Sequence, residues 1–133
     1  MKNVLIVDDS PTIRRMVKTA LQKMPETQFY EAASGLEAIE IIALTQIHAI
    51  VLDLNMPDMH GLDFLKFIKN NPITNKIPVM ILTTRGDEES KSLALTAGAS
   101  IYMTKPFNPD TILEKVSGMI TNKPENQPLI NGT

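Results

Sequence analysis

The 133-residue chain contains no cysteine, which excludes thiol catalysis and disulfide stapling. It has no excess of charge of one sign: the formal net charge is −2, with Lys and Arg spread along the sequence. That leaves no electrostatic case for binding nucleic acid or an anionic membrane surface. No apolar stretch approaches the roughly 20 residues of a membrane span, and the N-terminus runs directly into a strand pattern rather than a signal peptide. The expectation is a soluble, cytoplasmic protein without membrane insertion. There is no internal repeat. The length suits one domain with a real core, expected over residues 1–121, and the Pro- and Asn-containing stretch 122–133 reads as a polar tail or linker.

What is present is a set of three apolar runs that each end at an acid or a hydroxyl. Val4-Leu5-Ile6-Val7 stops at Asp8-Asp9, Ala49-Ile50-Val51-Leu52 at Asp53, and Val79-Met80-Ile81-Leu82 at Thr83-Thr84. Short continuous runs rich in Val and Ile are the pattern of strands buried on both faces, and helical patterns separate them. As parallel neighbours, their C-terminal ends share one sheet edge, which then carries three carboxylates and a hydroxyl. Carboxylates held that close repel unless a cation or a proton sits among them. The pattern points to a divalent metal.

Helical spacing fills the intervals. Ser10 can cap a helix with Pro11 at its first position, followed by Ile13, Met16, Val17, Ala20, Leu21 and Met24 until Pro25. A mixed strand, 28–32, precedes a helix from Gly35 with Leu36, Ile39 and Ala43 on its buried side. A turn-rich loop, 55–61, leads to a helix carrying Leu62, Leu65 and Ile68. A further helix spans about Asp87 to Ala97 and closes at Gly98, with its acids at the positive end of the dipole. A last strand, 101–104, gives way to Lys105-Pro106 and a helix opened by Asn108 and Pro109, with Ile112, Leu113, Val116 and Ile120. Five such units imply a doubly wound, flavodoxin-like parallel sheet with helices on both faces. Strands two and five are mixed in polarity and belong at the edges, which gives the order 2-1-3-4-5. Ligands then bind at the switch point between strands one and three, where Asp8, Asp9 and Asp53 lie.

Read together, Val4-Leu5-Ile6-Val7-Asp8-Asp9-Ser10, Val51-Leu52-Asp53-Leu54-Asn55-Met56-Pro57, Leu82-Thr83 and Tyr102-Met103-Thr104-Lys105-Pro106-Phe107 resemble the receiver domain of two-component response regulators, closest to the stand-alone chemotaxis type. The resemblance implies that Asp53 accepts a phosphoryl group from a phosphohistidine on a sensor histidine kinase. It implies Mg²⁺ as cofactor, held by Asp9, Asp53 and the main-chain carbonyl of Asn55, with Asp8 holding a coordinated water. It gives Lys105 to the phosphoryl oxygens, makes Thr83 and Tyr102 the switch pair, and makes the Lys105-Pro106 bond cis. The output is then a changed surface of helix four, strand five and helix five, read by a downstream protein effector. Beyond self-phosphorylation and self-dephosphorylation, no enzyme activity is implied. Asn55 and Arg85 flank the path of attacking water. Thr84 follows Thr83 where receivers usually carry a small residue, so two hydroxyls compete for the inward position.

Each residue has a plainer reading. A lone Asp after a strand is usually a turn former or cap, but three in register with Lys105 reverse that. Thr83 and Tyr102 alone would be ordinary strand residues. His48 and His60 have no partner at ligand spacing, and Met16, Met24, Met56, Met80 and Met119 read as core or loop packing. A haloacid-dehalogenase-type phosphatase would need a second acid where Asn55 stands. A flavodoxin-like cofactor site would place a phosphate against Asp8 and Asp9. The remaining alternative is a receiver from a longer regulator.

Overall fold

The computed structural model describes residues 1–121, so the tail expected over 122–133 lies outside the described residues. Strands and helices alternate: β1 (Lys2–Val7), α1 (Pro11–Leu21), β2 (Thr27–Ala32), α2 (Gly35–Leu44), β3 (Ala49–Leu52), α3 (Gly61–Asn70), β4 (Val79–Thr83), α4 (Glu88–Thr96), β5 (Ile101–Thr104) and α5 (Pro109–Thr121). Every ladder is parallel and the order is β2-β1-β3-β4-β5, with the mixed strands at the edges as expected.

The period of two along the strands divides the core into two layers. Val4, Ile6, Ala49, Val51, Met80 and Leu82 cluster with Val17 and Leu21 of α1 and with Ile112 and Val116 of α5. Leu5, Val7, Ile50, Leu52, Val79 and Ile81 cluster with Ala38 of α2, Phe64, Leu65 and Ile68 of α3, and Ala94 of α4. Burying a Leu, Ile or Phe fully is worth about 1.5–3 kcal/mol, so the central strands anchor the fold. Local chemistry sets the helix ends. Ser10 Oγ accepts from Ile13 N with Pro11 at the first position, and Asn108 Oδ1 accepts from Asp110 N and Thr111 N. Gly98, at φ +114°, closes α4 in a conformation an L side chain rarely adopts.

Four local expectations need correction. Leu36 and Ala43 are exposed, and α2 packs through Ala38, Ile39, Ile41 and Ile42. The helix is apolar almost all round, with Glu37 and Glu40 the exceptions, so periodicity alone does not choose its face. Met16 is also exposed: the stripe buried on α1 runs through Val17 and Leu21, and Met16 falls at its rim. α1 ends at Leu21, while Met24 packs against the core from the following turn. Asp87 lies just outside α4 as its N-cap, accepting from Ser90 N.

Candidate functional site

Register brings the acids together. Val7 pairs with Leu52, so Asp8 and Asp53 leave the sheet at the same height, while Thr83 ends the neighbouring strand. Ladder-like bonds continue beneath them: Asp8 N donates to Ala32 O and Asp53 N to Val7 O, both at 3.0 Å. The side chains therefore rise from anchored backbone. One carboxylate oxygen from each of Asp8, Asp9 and Asp53 lies within 4.8 Å of the others. At an effective dielectric of about 20, the buried Asp8 and Asp53 repel by roughly 3 kcal/mol, and solvent screens the exposed Asp9 so that its share is smaller.

One cation answers them. Lys105 Nζ lies 2.7 Å from Asp8 Oδ2 and 3.5 Å from Asp53 Oδ2. Three carboxylates and one ammonium leave a formal excess of two negative charges, the charge a divalent cation supplies. Asp8 and Asp53 are buried, whereas Asp9 is exposed, so the cluster is closed below and open above. Asp8 Oδ1 accepts from Ser10 N at 2.9 Å. Asp53 Oδ1 is buried and has no hydrogen-bond partner, although a buried polar atom normally has one. An orphaned carboxylate oxygen beside a charge-deficient cluster fits a metal ion or an incoming electrophile. Asn55 lies in the exposed loop two residues past Asp53. α3 packs directly on this loop: Gly61 N donates to Leu54 O, and a Cβ at Gly61 would lie 2.5 Å from Asp53 O.

Of the two hydroxyls, the structure buries Thr83 and exposes Thr84. Thr83 Oγ1 accepts from Arg85 N at 3.4 Å, Thr83 O accepts from Lys105 N at 2.8 Å, and the Lys105-Pro106 bond is cis. Tyr102 is half-buried, and its hydroxyl donates to the carbonyl of Arg85. The Arg85 residue thus touches Thr83 through its N–H and Tyr102 through its carbonyl. Burial, and then the Asp87 carboxylate, push the Tyr102 phenol above its ordinary value. His60 caps α3, its Nδ1 accepting from Leu62 N, and His48 Nδ1 accepts from Asn3 N, so both carry structural bonds.

Two residues escaped the sequence reading. Arg14, on α1, donates from Nη1 to Asp8 O at 2.6 Å and from Nε to Glu31 Oε1 at 2.9 Å. Asp58, in the β3–α3 loop, accepts from Gly35 N and Leu36 N at the start of α2. Hydrogen bonding from Leu36, chiefly, holds its carboxyl below the ordinary range. Neither stands in a motif.

Comparison with known proteins agrees with this geometry. The response regulator receiver domain family matches residues 4–117. Chemotaxis protein CheY1 of Helicobacter pylori is 37% identical over 114 residues, covering 85% of this chain and 92% of its own. Among solved structures, chemotaxis response regulator CheY4 of Vibrio cholerae is 35% identical, with a TM-score of 0.81, covering 90% of this chain and 98% of its own. The Mn²⁺-bound form of response regulator Rcp1 is 29% identical, with a TM-score of 0.77, covering 90% of this chain and 91% of its own. Such domains bind a divalent metal at an acidic pocket and interact with histidine kinases and effectors. A phosphatase reading is not favoured by these matches. With its parallel sheet, its acidic cluster and these relatives, the chain belongs to the response-regulator receiver family and is a phosphorylation-activated signalling module.

Proposed function

We propose that Asp53 is the phosphoryl acceptor and that Mg²⁺ is the metal of the Asp8, Asp9 and Asp53 cluster. The observation that carries this reading is the buried Asp53 Oδ1 without a hydrogen-bond partner. It is a carboxylate lone pair that the fold leaves free. Asp9, Asp53 and the Asn55 carbonyl would be the donors for the ion, and Asp8 would hold one of its waters. Such oxygen ligands suit a cation that keeps part of its hydration. When bound, Mg²⁺ supplies the positive charge that lets an anionic phosphodonor approach an anionic nucleophile. The Asp53 oxygen attacks the phosphorus of a phosphohistidine on a sensor kinase, and the imidazole leaves. Lys105, already 3.5 Å from Asp53 Oδ2, shifts its ammonium to the phosphoryl oxygens, and Thr83 offers its hydroxyl to them.

Thr83 donates its hydroxyl proton to the phosphoryl group, and the turn of Oγ1 toward it shifts the acceptor of the existing bond from Arg85 N. Because Arg85 also accepts from Tyr102, the change passes to β5 and so to the face of α4, β5 and α5. Lys91, Leu95, Tyr102 and Lys115 lie there, as the surface a downstream effector reads in the cytoplasm. Chemistry at the site is confined to self-phosphorylation and self-dephosphorylation. Incubation with acetyl phosphate and Mg²⁺ is expected to label wild type and leave Asp53→Asn unlabelled. Mass-spectrometric mapping of the phosphoryl group to another residue would overturn the assignment.

A further inference from the structure

We propose that Arg14 is a positioning residue for the metal-binding acids, fixing the peptide between Asp8 and Asp9 so that Asp9 presents its carboxylate beside Asp53. This rests on the metal assignment above.

Asp9 needs an orienting device. Its carboxylate is exposed, and among the described residues no hydrogen bond or ion pair holds it. Its direction must come from its backbone. That backbone is gripped at Asp8 from both sides: Asp8 N donates to Ala32 O at 3.0 Å, and Asp8 O accepts from Arg14 Nη1 at 2.6 Å. Since the peptide unit is planar, fixing the Asp8 carbonyl also fixes the N and Cα of Asp9. Arg14 is held in its turn. Its Nε donates to Glu31 Oε1 at 2.9 Å, and Glu31 precedes Ala32 on β2, so both grips on Asp8 come from one short stretch of strand.

The arginine side chain is 15% exposed, unlike Lys18 one turn later at 43%, so it is built into the loop rather than solvated. The two acceptors also demand a guanidinium. One is a carbonyl and the other a carboxylate on a different strand, and the guanidinium reaches them from two separate nitrogens, Nη1 and Nε, held in one rigid plane. An ammonium offers the same charge from a single point. Partners that orient metal ligands from behind typically carry a tenfold or larger share of metal affinity.

The test is calorimetric titration of Mg²⁺ into the full chain, with thermal melts of each metal-free variant alongside. Arg14→Lys and Arg14→Met are both expected to weaken Mg²⁺ binding about tenfold. Glu31→Gln should weaken it by less, because the bond to the Asp8 carbonyl survives. Wild-type affinity in Arg14→Lys would mean that charge alone matters. Tighter binding in Arg14→Met would mean that the guanidinium merely repels the ion. A lower melting temperature with unchanged affinity would mean a structural role only. Each of these three overturns the proposal. If Arg14→Met does not fold, Glu31→Gln still decides, since unchanged affinity there also overturns it. Asp9→Ala separates the two levels. If it binds Mg²⁺ like wild type, the metal assignment itself fails; if it loses the ion while the Arg14 variants keep it, only the positioning role fails.

Discussion

Two partly buried lysines stand at opposite ends of the sheet, and their surroundings differ in kind. Lys69, in the last turn of α3, donates to the carbonyls of Ile77 at 2.6 Å and Asn75 at 3.2 Å ahead of β4. No carboxylate pairs with it among the described ion pairs, and burial holds its ammonium below the ordinary value. Lys105, beyond the other end of the sheet, meets the carboxylates of Asp8 and Asp53 instead. The first lysine closes a loop against neutral acceptors. The second only partly offsets a cluster that keeps an excess of negative charge and an orphaned Asp53 oxygen. One end of the sheet is satisfied by the protein alone, and the other is satisfied only with something added.

Rigidity should follow the same division, which the glycines can break or sharpen. A Cβ at Gly61 would stand 2.5 Å from both Asp53 O and Leu54 Cα, atoms of a backbone that α3 and β3 hold in place. A Cβ at Gly98 would instead meet the Lys69 stem at 2.9 Å, a side chain able to move, although φ +114° adds its own strain. We expect Gly61→Ala to lose about 3 kcal/mol in urea unfolding, the upper range for overpacking, and Gly98→Ala to lose less. The reverse order would show that the site end is the more compliant one, and equal losses would show that the two ends do not differ in rigidity.

Next in size is Lys69→Met. The stem survives over Gly98, but the Ile77 and Asn75 carbonyls lose their donor, which should cost about 1–2 kcal/mol. Mg²⁺ affinity should not change. A coupled loss of metal binding would mean that the two ends are not independent.

Asp9→Ala should move stability the other way. Removing one of three crowded carboxylates relieves repulsion, so the metal-free protein is expected to gain on the order of 1 kcal/mol while Mg²⁺ binding falls sharply. A melt without Mg²⁺ in which this variant is clearly less stable than wild type contradicts that expectation.

What could be read from the sequence follows from how each signal is encoded. Val4 to Val7, Ala49 to Leu52 and Val79 to Leu82 are continuous runs, so burial on both faces is written into them and the strand order follows. Asp8, Asp53 and Thr83 are found because each immediately follows or ends such a run. The buried face of α2 is not written, because Leu36, Ile39, Ile41, Ile42 and Leu44 cover most of its circumference and only contact with the sheet chooses among them. Arg14 and Asp58 were missed for a different reason. An arginine on an amphipathic helix and an aspartate in a turn are ordinary solvated residues by pattern, and their partners lie 6 to 23 residues away. Thr83 was legible as a position and was chosen over Thr84 on the resemblance alone, whereas the burial of Thr83 and exposure of Thr84 is seen only in the folded sheet.

The smallest expected effect belongs to Asp58, which ties the loop carrying Asn55 to the start of α2. Its carboxylate accepts from Gly35 N at 3.1 Å and Leu36 N at 3.0 Å, two donors at a helix N-terminus where the dipole also favours negative charge. The residue is fully exposed, so solvent weakens the interaction, and Ser34 already caps the same helix by accepting from Glu37 N. Its sign is nevertheless fixed. The folded-state carboxyl lies below the ordinary value because Leu36 N, foremost, bonds to the ionised form. Stabilisation is therefore complete above the unfolded value of about 3.9 and disappears as pH falls through the lower folded value. Wild type should melt slightly above Asp58→Ala at pH 7, and the gap should narrow from about pH 4 downward. Circular dichroism melts of both proteins across that range check it. A gap that persists unchanged into strong acid would mean that Asp58 acts through its shape in the turn rather than through its charge on the helix.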